Sequence, residues 1–191
     1  MSAISYKEHL STTRNAPHKR LTKGKRSTGG RNSYGRTTAF YRGGGAKRVY
    51  RFVDFTYDKK DVPARVEKIE YDPYRSAFIA LICYKDGERR YVLAAKDMRV
   101  GDEVVVSETA RAKTGNRTRL GNISVGTFVY NIELQPGAGA RLARSAGSYA
   151  EVVAHDSGYT QLKMPSSEIR RVPSTAWASV GQVSNEENRV V

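Results

Sequence analysis

FIALICYKDGERRYVLA, residues 78–94, decides the fold. Phe78-Ile79-Ala80-Leu81-Ile82-Cys83-Tyr84 is an unbroken apolar run and reads as a buried strand. Lys85-Asp86-Gly87-Glu88 then carries the Asp-Gly pair of a tight hairpin, which returns the chain along 89–94. On the N-terminal side, 49–55 and 64–71 alternate, the latter with Val66 and Ile69 facing inward. On the C-terminal side, 100–106 turns at Gly101-Asp102 into another strand. Five short strands in about 60 residues are what a small closed barrel requires.

Beyond this series, residues 107–122 are polar and basic (Arg111, Lys113, Arg117, Arg119) and read as a connecting loop. A second series follows at 128–134, 149–154, 159–164, 169–172 and 177–183. Asp156-Ser157-Gly158 and Pro165-Ser166-Ser167 supply turns. No window sustains the i, i+3, i+4, i+7 stripe of a helix. The expected class is all-β: an arm over 1–47, one barrel over 48–112 and another over 113–191. Trp177 is expected in the core.

Charge is distributed unevenly. Thirteen of the 33 basic residues lie in the first 51 positions beside a single acid, Glu8, so this stretch carries +12 of the net +14. Such a segment repels itself in isolation and becomes ordered against a polyanion. The pI of about 10.0 is that of a nucleic-acid-binding domain. The arm has no amphipathic helical period, and no apolar run approaches the roughly 18 residues of a spanning helix, so neither membrane-surface binding nor membrane insertion is expected. One cysteine, Cys83, excludes an internal disulfide, and its apolar setting predicts a buried, inert thiol. His9, His18 and His155 lack any zinc-site spacing. The acids show no paired-carboxylate pattern, and Asp97, Asp102 and Glu103 merely flank a turn. No catalytic residue, metal or cofactor is expected.

Within the arm, Gly29-Gly30-Arg31-Asn32-Ser33-Tyr34-Gly35-Arg36 and Gly43-Gly44-Gly45 interrupt any helix. A plain flexible linker is the bland alternative. Linkers are rarely so basic, however, and here arginines interleave with Tyr34, Phe40 and Tyr41. Glycine lets backbone N–H groups approach phosphates, arginine pairs with them bidentately, and tyrosine can stack on an exposed base. Two further loops share Arg-Ser-Ala: Arg75-Ser76-Ala77 and Arg144-Ser145-Ala146. Each is either a surface arginine in a tight turn or one of two anchoring points on one RNA. Gln135-Pro136-Gly137-Ala138-Gly139-Ala140-Arg141 imitates a phosphate loop but lacks the GK[ST] ending and a following helix; a Gly-rich connection along an RNA backbone fits better.

GGRNSYGR (29–36), YRGGGAKRVYRFVDF (41–55), PARVEKIEYDPYRSAFIAL (63–81), YKDGERRYVLA (84–94), GNISVGTFVYNIELQPGAGARLARSAGSYA (121–150) and MPSSEIRRV (164–172) together resemble the large-subunit ribosomal protein L-two family, in its bacterial or organellar form. The resemblance runs in order from about Gly29 to Val183. It implies an oligonucleotide-binding (OB) barrel followed by a Src-homology-three-like barrel behind an extended basic N-terminal arm. It also implies binding to large-subunit rRNA during assembly, near the peptidyl-transferase region, with neighbouring ribosomal proteins as further partners. The family's RNA-contacting arginines correspond to Arg75 and Arg144, and its basic GGRN and RGGG segments to Arg31, Arg36, Arg42, Lys47, Arg48 and Arg51. Arg141, at the end of the Gly-rich connection, completes the expected RNA-binding set.

Departures from the family pattern are Ala46 and Tyr130 in place of histidines, and Tyr74 and Phe78 in place of asparagines. The family also continues into a basic tail with a His-Pro-His-Gly-Gly-Gly motif, where this sequence reaches Asn188-Arg189-Val190-Val191. A separate polypeptide supplying that tail, as from a divided organellar gene, or a truncation would account for this. The expected location is a ribosome, in the mitochondrial matrix or the bacterial cytoplasm, the former slightly favoured by the missing tail. The competing reading is a free single-strand nucleic-acid-binding protein using Tyr50, Phe52, Tyr84 and Tyr91 as a stacking platform. A nuclease comes third.

Overall fold

The computed structural model describes residues 17–25, 27–42 and 45–189. The start of the arm, with Lys7, Glu8 and Arg14, lies outside the described residues, as do Arg26, Gly43, Gly44 and the final two valines. Among the described residues there is no α-helix, only short 3-10 turns such as Leu120–Asn122.

The first sheet has the order β5-β4-β3-β6, all antiparallel, from β3 (Ala64–Glu70), β4 (Ile79–Tyr84), β5 (Arg89–Leu93) and β6 (Glu103–Val104). β4 lies between two neighbours and is buried along nearly its whole length, which is why its sequence is continuously apolar. β3 has one solvated face and alternates until a register shift between Val66 and Lys68. The hairpin turns at Gly87, whose φ of 87° suits glycine. The sheet curls into an OB barrel as Val53 bridges Tyr91 and the Asp54 N–H donates to the Tyr91 carbonyl at 2.8 Å.

The second sheet has the order β13-β12-β11-β8-β14-β7 and forms the Src-homology-three-like barrel. Its members are β7 (Arg117–Arg119), β8 (Phe128–Tyr130), β11 (Ala150–Asp156), β12 (Tyr159–Lys163), β13 (Ile169–Pro173) and β14 (Trp177–Val180). A small pair, β9 (Ile132–Glu133) with β10 (Ala140–Leu142), stands beside it. Leu120, Ile123, Val129, Ile132, Val152, Leu162 and Val172 fill its core.

Three segments differ from the sequence reading. Part of the presumed loop 107–122 is β7, an edge strand whose Arg117 is 1 % exposed. Part of the Gly-rich connection is β10. The arm is not extended throughout: β1 (Thr22–Gly24) pairs antiparallel with β2 (Val49–Arg51), and Leu21 packs against the first core.

The two halves share a core. Tyr130, Trp177 and Val183 of the second half belong to the cluster built on Ile79, Leu93 and Tyr91 of the first. Backbone bonds sew the seam, with Lys96 N–H to the Gln182 carbonyl at 2.8 Å and Ser184 N–H to the Ala94 carbonyl at 3.1 Å. A buried ion pair of the second half reaches it through Tyr57. Arg117 donates to Glu133 at 3.0 Å and to the Asn131 carbonyl at 2.6 Å, while its guanidinium sits 4.4 Å from the Tyr57 ring centroid. Asn131 Nδ2 completes the link by donating to the Tyr57 hydroxyl at 2.7 Å. Trp177 is buried beneath Lys60, as a core tryptophan, whereas Cys83 is only half buried.

Candidate nucleic-acid interface

The two Arg-Ser-Ala turns come from different barrels yet meet in one cleft. In the first, buried Asp72 accepts from the Tyr74 N–H at 3.0 Å and from Arg75 Nη1 at 2.7 Å, which fixes the turn and aims the guanidinium. In the second, Ser148 closes the turn onto the Ser145 carbonyl through its N–H (3.1 Å) and its hydroxyl (2.6 Å). The Ala146 N–H joins them by donating to Ser76 Oγ at 3.2 Å. Asn185 Nδ2 adds a second tie by donating to the Ser76 carbonyl at 2.6 Å.

Both arginines converge on Phe55. The Arg144 guanidinium lies 4.7 Å from its ring centroid and that of Arg75 lies 5.7 Å away. Arg144 Nη1 also donates to the Ala140 carbonyl at 3.3 Å. Phe55 is itself held from behind, since its carbonyl accepts the Ala140 N–H at 2.8 Å. That approach requires Gly139: at φ 78°, a Cβ there would stand 3.0 Å from the Phe55 oxygen. Stacking on one ring restrains the two guanidinium planes while leaving N–H groups for an outside acceptor. The cleft has a volume of about 1080 Å³, and Arg75, Arg141 and Arg144 line it without any carboxylate among its lining residues. A surface so composed attracts phosphate oxygens.

Tyr74 forms part of this wall and of a second hollow of about 1040 Å³, lined also by Lys25, Lys47 and Arg48, where the arm passes the barrel. Arg48 Nη1, just past the arm, donates to the Pro73 carbonyl at 3.2 Å, which ties the arm's root to the loop that carries the first Arg-Ser-Ala turn. Tyr50 stands between the hollows, edge-on to both Phe52 and Tyr74 at 5.5 Å. Arg31, Arg36 and Arg42 are exposed further along the arm.

Arg51 is placed differently from the other expected RNA contacts. It is 6 % exposed and faces Glu70 at 3.8 Å and Asp72 at 3.9 Å, beneath β2. A guanidinium so enclosed has no surface to offer a phosphate; its work is to neutralise two buried acids. Strand alternation carries the reason, because Tyr50 and Phe52, the residue just past β2, meet on the outward side and Arg51 takes the inward one. The same burial removes Tyr84 and Tyr91 from any stacking platform, at 3 % and 0 % exposed. The Tyr91 hydroxyl accepts the His18 N–H at 2.8 Å and donates to Glu70 at 2.9 Å. Burial pushes its pKa well above the ordinary phenol value.

Phe55 and Tyr74 are the cleft residues that sequence reasoning missed, and Tyr50 entered it only within the competing stacking platform. Phe55 closes an alternating strand and reads as core; only the tertiary approach of two arginines from distant turns reveals its role. Among the described residues, no group of three or more His, Cys, Asp or Glu side chains is arranged to hold a metal ion.

Comparison with known proteins bears on both halves. Residues 18–106 match the family profile "Ribosomal Proteins L2, RNA binding N-terminal domain", and residues 113–191 match "Ribosomal Proteins L2, C-terminal domain". The large ribosomal subunit protein uL2 of Granulibacter bethesdensis is 55% identical over 172 residues, covering 90% of this chain and 62% of that protein. Its counterpart in Rhodospirillum rubrum is 51% identical over 173 residues, covering 91% and 62%, and that of Gluconobacter oxydans is 54% identical over 172 residues, covering 90% and 62%. The chain thus spans 62% of the length of these curated relatives. With both profiles of one family matched in order, and more than half the aligned residues shared with such relatives, the chain belongs to the ribosomal protein L2 family.

Proposed function

We propose that the chain is a structural, non-catalytic component of a large ribosomal subunit and binds large-subunit rRNA. The observation that carries this reading is the convergence of Arg75 and Arg144, from two separate turns, on the single ring of Phe55 in a cleft without carboxylates. One RNA backbone segment entering there meets Arg75, Arg141 and Arg144 together, while Arg31, Arg36, Arg42, Lys47 and Arg48 neutralise phosphates along the arm. Any influence on peptide-bond formation acts through RNA placement. Assembly near the peptidyl-transferase region beside neighbouring ribosomal proteins is part of the same reading.

So is the division into an arm over 1–47 and barrels over 48–112 and 113–191; the gap between the two matched profiles supports the boundary between the barrels. The bacterial relatives support a bacterial-type ribosome, in the bacterial cytoplasm or the mitochondrial matrix.

Filter binding to a large-subunit rRNA fragment at moderate salt tests the cleft. Arg75→Ala and Arg144→Ala should each weaken binding about 10- to 100-fold, the worth of a hydrogen bond from a charged donor; Arg144→Ala should leave the melting curve unchanged, whereas Arg75→Ala should also lower Tm, because it takes the nearest cation from buried Asp72. Because the two arginines share Phe55, the double variant should lose less than the product of the single losses. Unaltered affinity in both single variants would remove the cleft from the interface.

A further inference from the structure

The arm holds a second feature that phosphate neutralisation does not use. Residues 28–39 form a loop closed by its own hydrogen bonds. Thr38 and Ala39 N–H both donate to the Gly30 carbonyl, at 2.9 and 3.1 Å, and Asn32 N–H donates to the Arg36 carbonyl at 2.9 Å. Asn32 Oδ1 accepts the N–H groups of Tyr34 (3.0 Å) and Arg36 (2.9 Å), and Arg31 Nη1 donates to the Gly35 carbonyl at 3.0 Å. Gly30 cannot be replaced, since a Cβ there would stand 2.2 Å from the Ala39 oxygen. Residues 28–39 are thus held to one shape by bonds within the loop.

What the loop and the two residues directly after it display is three aromatic rings in water. Tyr34 is 93% exposed, Phe40 79% and Tyr41 106%, against buried values for Tyr57, Tyr84, Tyr91 and Tyr130 in the barrels. No described residue stacks on any of them. Tyr41 is also held at φ 58°, a left-handed conformation that a bulky side chain adopts only under constraint. Ordered loops do not ordinarily carry large apolar rings fully solvated; a site that later covers them explains the arrangement. The exposed cations Arg31, Arg36 and Arg42 interleave with the rings along the sequence, and no acid occurs among residues 9–53. The covering group is therefore anionic and presents flat apolar faces. Nucleotides have both properties, and only unpaired ones leave a base face free along their length.

We propose that Tyr34, Phe40 and Tyr41 form a stacking site for unpaired nucleotides of RNA, distinct from the arginine cleft and giving the arm a preference for single-stranded over paired segments. This rests on the nucleic-acid reading of the chain and specifies which RNA structure the arm takes. Stacking a base on a ring is tolerant of sequence, so the preference is for strandedness and not for a base order.

The test uses the full chain with two probes, an oligoadenylate and a fully paired RNA duplex of equal length. Replacing all three rings (Tyr34→Ala, Phe40→Ala, Tyr41→Ala) should lower oligoadenylate affinity about 5-fold or more while leaving duplex affinity unchanged. The log affinity against log salt slope should stay as in the wild type, because no charge is removed. Phe40→Trp supplies an independent reading. The chain's single tryptophan, Trp177, is 6% exposed, so the added indole reports on the loop and should be quenched by oligoadenylate and not by the duplex.

Equal losses for both probes, no loss for either, or an unquenched indole with RNA bound would overturn the proposal. If the rings instead enter an apolar pocket of a neighbouring protein, the triple variant will bind oligoadenylate as the wild type does. If the wild-type chain binds neither probe at low salt, the nucleic-acid reading fails and this proposal with it.

Discussion

Replacing Arg117 by methionine should reveal how the two barrels are held. The side chain is buried with Glu133, at 1% and 2% side-chain exposure, and the carboxylate's other oxygen accepts the Gly137 N–H at 3.1 Å. Arg117→Met leaves that carboxylate without its cation and strips the Asn131 carbonyl of its donor. Breaking one side of a buried pair costs about 3–5 kcal/mol, most of it the uncompensated partner. In a domain of this size each kcal/mol moves the melting temperature by about 2–4 °C, so Tm should fall by roughly 6–20 °C. Adding Glu133→Leu removes the second charge and should recover most of the loss, since two apolar side chains of similar volume replace a buried pair at little cost. Thermal and guanidinium denaturation of the two single variants and the double variant give the full cycle. Additive losses, or single variants within about 1 kcal/mol of wild type, would refute the claim that these two charges act as a coupled buried pair.

Two further perturbations have defined outcomes. Burial alone would raise the Asp54 pKa, but hydrogen bonds from Arg90 and from the Tyr57 and Thr56 N–H groups outweigh it and hold the carboxyl below its ordinary value. A depressed folded-state pKa gives stability that is present above the unfolded value of about 3.9 and is lost as pH falls through the folded one. Asp54→Asn should therefore flatten the acid limb of a stability–pH curve measured by denaturant melts, and an unchanged limb would contradict it. Arg51→Met should cost about 3 kcal/mol, the low end for a broken buried pair because its contacts are long. It should leave the salt slope of RNA binding intact, whereas a lost phosphate contact would reduce that slope by about 0.7–0.9.

The parts legible in the sequence are those whose environment is set locally. β4 and β5 were readable because a two-sided burial demands continuous apolar residues and the three-residue hairpin loop demands glycine at its positive-φ position, which Gly87 fills. β7 was not, because Arg-Thr-Arg has the composition of a loop and becomes a strand only when Glu133, Asn131 and Tyr57 arrive to satisfy Arg117. Arg51 shows the reverse error. Its neighbours and its place in a basic run suggest a phosphate contact, yet the register of β1 on β2 turns it toward Glu70 and Asp72. Arg75 and Arg144 were separately legible as arginines in turns. Their meeting on Phe55 depends on docking of the two barrels, which no local pattern encodes.

That dependence links RNA binding to the junction. The cleft exists only while the first Arg-Ser-Ala turn lies against the second, so a ligand filling it favours the docked state of the two barrels. A ligand at a hundred times its dissociation constant adds about 2.7 kcal/mol to stability, which for this size of domain is a rise of roughly 5–11 °C in Tm. The arm alone would behave otherwise: RNA gripping only residues 28–42 adds no contact across the seam and leaves barrel melting where it was. Melting the chain with and without a large-subunit rRNA fragment, in wild type and in Arg75→Ala/Arg144→Ala, separates these cases. A Tm rise in the wild type that the double variant loses places the ligand in the cleft; no rise in either with RNA bound would assign binding to the arm, and a rise of equal size in both would sever the cleft's arginines from the junction's stability. By linkage, loosening the seam with Arg117→Met must also weaken RNA binding in proportion to the docked population lost.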